Sequence, residues 1–114
     1  MADRNTLTLP YRARTATGDV FDIDFFLHPE TGSAVDVENL LTALLACIDR
    51  EVGLKAGKVS NGDVLQAVAM ALAVRSAMIA APERLTQSLS RDLLERALHA
   101  LSTAGKSGPP AGHA

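Results

Sequence analysis

The chain predicts an α+β fold: an N-terminal antiparallel β-hairpin packed on a three-helix body, in the order β-β-α-α-α, extending its sheet by dimerisation. Three observations predict it. All four aromatic residues, Tyr11, Phe21, Phe25 and Phe26, lie within sixteen residues near the N-terminus. Aromatic and β-branched residues favour strands. The rest of the chain, from Ser33 on, is rich in Ala and Leu, which favour helices. Finally, the hydrophobic period changes from two in the head to helical spacing in the body.

The first strand comes from the alternation of Leu7, Leu9, Tyr11 and Ala13 with Thr8, Pro10, Arg12 and Arg14. In the second, Phe21, Ile23, Phe25 and Leu27 point one way and Val20, Asp22, Asp24, Phe26 and His28 the other. Period two marks a half-buried strand. Thr17-Gly18-Asp19 suits a tight turn, because Gly supplies positive φ without steric cost. Taken as a three-residue loop, it places Tyr11 opposite Phe25, Leu9 opposite Leu27, Arg14 opposite Asp22 and Arg12 opposite Asp24. Pro10 has no N–H to give a ladder, so this strand is an edge at that point. A lone hairpin is marginal in water. Nothing later reads as a strand, which makes a second copy of the chain the expected donor of one.

Ser33 or Asp36 caps a first helix running to about Val52. Its apolar face is Val37, Leu40, Leu41, Leu44, Leu45, Ile48 and Val52, and Gly53 sits where a C-cap would be. A loop from Leu54 to Gly62 comes next. Ser60, Asn61 or Asp63 caps a second helix ending near Ala81 or Pro82. Between Val64 and Val74 only Gln66 is polar. A helix apolar almost all round is buried on several sides. Ala67, Ala69, Ala71, Ala73 and Ala77 would let neighbours approach closely, either in the centre of the domain or across a subunit interface. Pro82 opens a third helix to about Thr103 with an apolar stripe of Leu85, Leu89, Leu93, Leu94, Ala97, Leu98 and Leu101. Residues 1–104 are expected to form one domain, and 105–114 a flexible tail that lacks core residues.

Composition narrows the function classes. At 114 residues, 47% hydrophobic and 21% charged, this is an ordinary globular composition. A net charge of −2 argues against broad nucleic-acid binding, which needs a basic surface. No segment reads as a membrane span or a signal peptide; the most apolar stretch, Val64 to Ala81, carries Gln66, Arg75 and Ser76. The single cysteine, Cys47, fits a reducing compartment, so a cytoplasmic location is expected. Eight arginines against three lysines, with abundant alanine, is the bias of a GC-rich bacterial genome.

No catalytic, metal or cofactor set assembles from the sequence. Gly53 to Ser60 falls one residue short of a phosphate-binding loop and comes after a helix, so it reads as a helix connection. Asp22, Asp24 and His28 share a strand face, but His28 lies about 13 Å from Asp24 along the strand. The two aspartates are expected to pair with Arg12 and Arg14. Glu95 and His99 supply two ligands where zinc needs three or four. Cys47 has no nearby base and reads as a small buried residue.

The residues support two functional readings. The first is a non-catalytic assembly or adaptor module acting through protein–protein contacts, a homodimer that also engages another protein. Its interface would be Pro10, Arg12, Asp24, Phe26 and His28 on the hairpin, or the small-residue surface of the second helix. An exposed aromatic rimmed by charge is a common anchor. The second is a small apolar-ligand-binding protein or an accessory subunit of an enzyme, with a pocket lined by Tyr11, Phe21, Phe25 and Met70 or Met78. No motif names a family.

Overall fold

A computed structural model describes residues 7–15, 18–56 and 58–107. The elements are β1 (Leu7–Arg14), β2 (Val20–Leu27), α1 (Ala34–Leu54), α2 (Asn61–Ala77), α3 (Glu83–Ser102) and β3 (Gly105–Ser107). A hairpin followed by three helices is the α+β arrangement expected. The added feature is β3, which pairs antiparallel with β2 to give the sheet order β1-β2-β3. The third strand therefore comes from the chain's own C-terminal part, from residues expected in the flexible tail. The tail from 108 onward, including His113, lies outside the described residues, as do Ala16 and Thr17 of the turn, Gly57 and residues 1–6.

The two faces of the hairpin are those expected. Leu9 and Ile23 are buried, Tyr11, Ala13, Phe21, Phe25 and Leu27 half-buried, and Arg12, Asp22, Asp24 and Phe26 exposed. The register is not. Leu9 pairs with Phe25, Tyr11 with Ile23, Arg12 with Asp22 and Pro10 with Asp24, a slip of two residues from the expected pairing. The turn explains it. Thr15 N–H donates to the Asp19 carbonyl at 2.9 Å, Asp19 N–H to Thr15 Oγ1 at 3.0 Å, and Gly18 adopts φ 96°. Three residues then lie between the closing pair, and the last of them is glycine. That is the position where a three-residue hairpin loop needs a left-handed residue. Closing the loop on Thr15 and Asp19 rather than one position later moves every pair by two.

Hydroxyl caps set the helix starts. Ser33 Oγ accepts from Asp36 N–H, and Ser60 Oγ from Asp63 N–H, each at 3.1 Å. The Pro82 carbonyl accepts from Leu85 and Thr86 N–H, so Pro82 stands just before α3 rather than in its first turn. α2 ends at Ala77, with Met78 as its C-cap. At the end of α1 the cap differs from expectation. Gly53 lies inside the helix, and the left-handed residue after it is Ala56, at φ 54°.

Contacts group the chain into two compact units. One holds the chain up to Leu41 and from Glu95 onward; the other is Thr42–Leu94. The first contains the sheet and all the buried apolar residues described: Leu9, Ile23 and Ala100. The second contains most of the helical surface, and its buried residues are Ser76 and Thr86. Their hydroxyls donate to the carbonyls of Ala73 and Glu83, three residues back along their own helices. No apolar side chain described in Thr42–Leu94 is buried. The expectation of an enclosed second helix is therefore not met within one chain: Leu65 and Val74 of α2 are 70% and 63% exposed. The reason is geometric. A helix apolar around its circumference needs neighbours on every side, and α2 makes only slight contact with the α1 and α3 turns of its own segment.

Candidate functional site

Two surfaces compete for the role of functional site, one in each unit. The first is the outer face of the hairpin. Alternation from the Thr15–Asp19 hydrogen bond makes the odd-numbered pairs hydrogen-bonded and the even-numbered pairs non-hydrogen-bonded. Outer-face side chains thus sit at the closer of the two cross-strand spacings. Arg12 uses it: its Nε reaches Asp22 Oδ1 at 2.7 Å, with both side chains largely in water. The expected partner, Asp24, instead lies opposite Pro10, and Arg14 opposite Val20. Hydrogen bonding to Asp22, then its charge, raises the Arg12 pKa above the ordinary arginine range. A base with a raised folded-state value loses its contribution only as pH climbs through that range, so this pair adds no pH dependence near neutrality.

Phe26 stands opposite Thr8 and is 44% exposed. His28 begins the turn out of β2. Its Nδ1 accepts from Glu30 N–H at 3.0 Å, and its carbonyl accepts from the N–H and Oγ1 of Thr31. The imidazole is thus engaged in a turn. The strand face carries Pro10, Arg12, Asp24 and Phe26, all exposed, while His28 lies just past the end of β2 and is half-buried.

The same phase tells how the free edge of β1 is built. Backbone groups of even-numbered residues point away from β2. That edge offers the groups of Thr8, Pro10, Arg12 and Arg14, and Pro10 has no N–H to offer. Proline and charged side chains are standard means of blunting a sheet edge.

The second surface belongs to Thr42–Leu94. Fourteen of its large hydrophobic side chains are exposed, from Leu44 to Leu94. Where the end of α1 approaches the start of α2 there is a groove of about 290 Å³, and Val68 is the one of the fourteen that lines it. Cys47, Ile48 and Val52 line one side; Val64, Ala67 and Val68 line the other. Glu51, Lys55 and Asp63 also border it. Cys47, expected to be buried, is exposed and faces this groove. The sequence does carry the signal. Ile48 and Val52 are four apart on α1, Val64 and Val68 four apart on α2, and a short connection brings the two helix ends together.

The residues expected to form an aromatic and methionine pocket are distributed differently. Tyr11 and Phe25 are diagonal neighbours, with ring centroids 6.3 Å apart at a tilt of 52°. Phe21 carries Lys106 of β3 over its ring, Nζ to centroid 5.4 Å. Met70 and Met78 belong to the helical unit and are 56% and 67% exposed. None of the five lines the α1–α2 groove.

Among the described residues, no three or more His, Cys, Asp or Glu side chains gather as a metal site, and no helix is long and apolar enough to cross a membrane. No family model matches the chain, and neither a curated protein nor a solved structure is similar to it.

Proposed function

We propose that this protein is a non-catalytic assembly module that works as a homodimer and presents its hairpin to another protein. One observation carries the reading: among the described residues of Thr42–Leu94, no apolar side chain is buried within one chain. Exposed apolar patches on monomers rarely exceed a few hundred Å², and larger ones mark contact with something else. Absolute mass by light scattering on a sizing column, over a wide concentration range, tests it. A mass of twice 12.0 kDa is expected. A strict monomer at every concentration removes the homodimer.

The hairpin face is the second contact surface in this reading. Phe26 would be the anchor, with Arg12, Asp24 and His28 at its rim. Replacing Phe26 with Asp is expected to abolish capture of the partner protein in a quantitative pull-down and leave the dimer mass unchanged. Equal capture by parent and variant would dismiss the anchor.

A reading as a binder of small apolar molecules has the α1–α2 groove in its favour. Its volume lies at the lower limit of ordinary ligand sites. A thermal-shift screen of fatty acids and small aromatics tests that reading. A stabiliser whose effect vanishes in Val64→Asp would support it over dimerisation alone.

A further inference from the structure

We infer that a second copy of this chain completes the core of Thr42–Leu94, with the apolar side chains of the partner's helices seated in the α1–α2 groove and over α2, so that this segment acquires its fold only in the dimer. The inference rests on the homodimer proposed above and assigns the surface that makes it.

Area is the first argument. The fourteen exposed large side chains are between 37% and 73% accessible. Together they present on the order of 1,300 Å² of surface from one segment alone, against about 800 Å² per partner in a standard interface. That amount belongs to obligate assemblies, whose interfaces resemble a domain core cut in half.

The second argument is the shape of the demand. α2 has apolar residues around its whole circumference, with Asp63 near its start and Arg75 near its end as its only charges. It has no polar face, so it does not have the pattern of a helix lying at a membrane surface. It needs helices on opposite sides. Alanines at 67, 69, 71, 73 and 77 leave room for close approach on more than one of them. The segment's own α1 and α3 turns make only slight contact with it. A second copy supplies the rest with the same apolar stripes, and one patch can meet itself about a two-fold axis.

Charge permits this. Residues 42–94 carry six cations, Arg50, Lys55, Lys58, Arg75, Arg84 and Arg91, and five carboxylates, Asp49, Glu51, Asp63, Glu83 and Asp92. Their difference is +1, so two copies meet without a like-charge barrier. The competing route, strand addition at the free edge of β1, is opposed by Pro10 and the arginines beside it.

The test uses the full chain. Light scattering, far-UV circular dichroism and amide hydrogen exchange are followed together over a thousandfold concentration range. In an obligate dimer the melting temperature falls by about 3 °C for each tenfold dilution at this size. α2 amides should lose protection in step with the fall in mass. Val68→Ala should weaken dimerisation about tenfold and Val68→Asp at least a hundredfold, with Phe26→Asp without effect. If Val68→Asp does not fold, Val68→Ala decides the matter. A monomer with protected α2 amides at every dilution overturns both this inference and the homodimer. A dimer weakened by Phe26→Asp and indifferent to Val68→Ala overturns this inference and leaves the homodimer standing. Protection of α2 that arises only with added lipid vesicles, or only with a different protein, also overturns it.

Discussion

The sheet unit and the helical unit use their apolar residues in opposite ways. Among the described residues, the sheet unit buries Leu9, Ile23 and Ala100 within one chain, and the helical unit, Thr42–Leu94, buries only two hydroxyl residues. A hairpin gathers its inner face from residues about ten to twenty apart in sequence, and its outer face stays in water by design of the alternation. A helix gathers nothing by itself. Its apolar stripe is satisfied only by another layer, and a helix apolar all round needs several. A chain with three helices and one small sheet can therefore finish the first task and leave the second to a partner.

The largest effect that tests this contrast is expected from Ile23→Ala. Ile23 is 5% exposed, and truncating a buried Ile to Ala costs about 3 kcal/mol, or roughly 10–15 °C in melting temperature for a domain of this size. Its counterpart in the helical unit is Leu65→Ala. At 70% exposure in one chain, Leu65 would cost under about 0.5 kcal/mol as a surface residue. Covered by a second copy, it should cost about 2 kcal/mol. Urea denaturation of both variants measures the contrast. A small value at Leu65 would mean that the side chain stays in water and that the helical unit is complete alone.

The caps offer a finer comparison, because each unit has one of the same kind. Ser33 and Ser60 each accept a backbone N–H three residues on at 3.1 Å. Substitution of an N-cap serine by alanine costs typically about 1 kcal/mol. Ser33→Ala and Ser60→Ala should therefore lower stability equally in urea. Only Ser60→Ala should also raise the dissociation constant of the dimer, since only Ser60 lies in the segment whose order depends on association. Equal effects on dissociation would show that the two units fold as one.

The sequence made much of this legible, and physics marks where it did not. Faces of the hairpin come from period two, and a slip of two residues leaves every face unchanged. Alternation was therefore blind to the true register. The left-handed requirement at Gly18 and the closing bond of Thr15 to Asp19 decide it. β3 was invisible because Gly105-Lys106-Ser107 has no apolar alternation and no strand-forming residue; it is ordered by pairing with β2. The three helices were clear from spacing, with serine caps before α1 and α2 and Pro82 before α3. The surroundings of α2 were not, because an apolar circumference states that a helix is covered without saying by which chain. The groove at Cys47 was missed for a related reason. No base lies near Cys47 in the sequence to mark it, and its place is on the flank of the α1 stripe, bordering the groove with α2.

The smallest expected effects lie at the end of α1, where their sign is more informative than their size. By position in the sequence, Gly53 is the natural left-handed cap, and replacing it with alanine would then be destabilising. In the structure Gly53 lies within the helix, and open space surrounds the place where a Cβ would stand. Alanine at an exposed helix interior position is favoured over glycine by about 0.5–1 kcal/mol. Gly53→Ala should therefore stabilise the protein. The left-handed position is Ala56, at φ 54°, where an L side chain meets its own following carbonyl at a cost of about 1–2 kcal/mol. Ala56→Gly relieves that strain but loosens the unfolded chain, leaving a net gain of roughly 0.5 kcal/mol. Both substitutions should raise the melting temperature by a few degrees, and their gains should add. The opposite sign at Gly53 would place the end of α1 one turn earlier. That would shorten the wall of the groove formed by Val52 and Lys55, and with it the surface on which the helical unit depends.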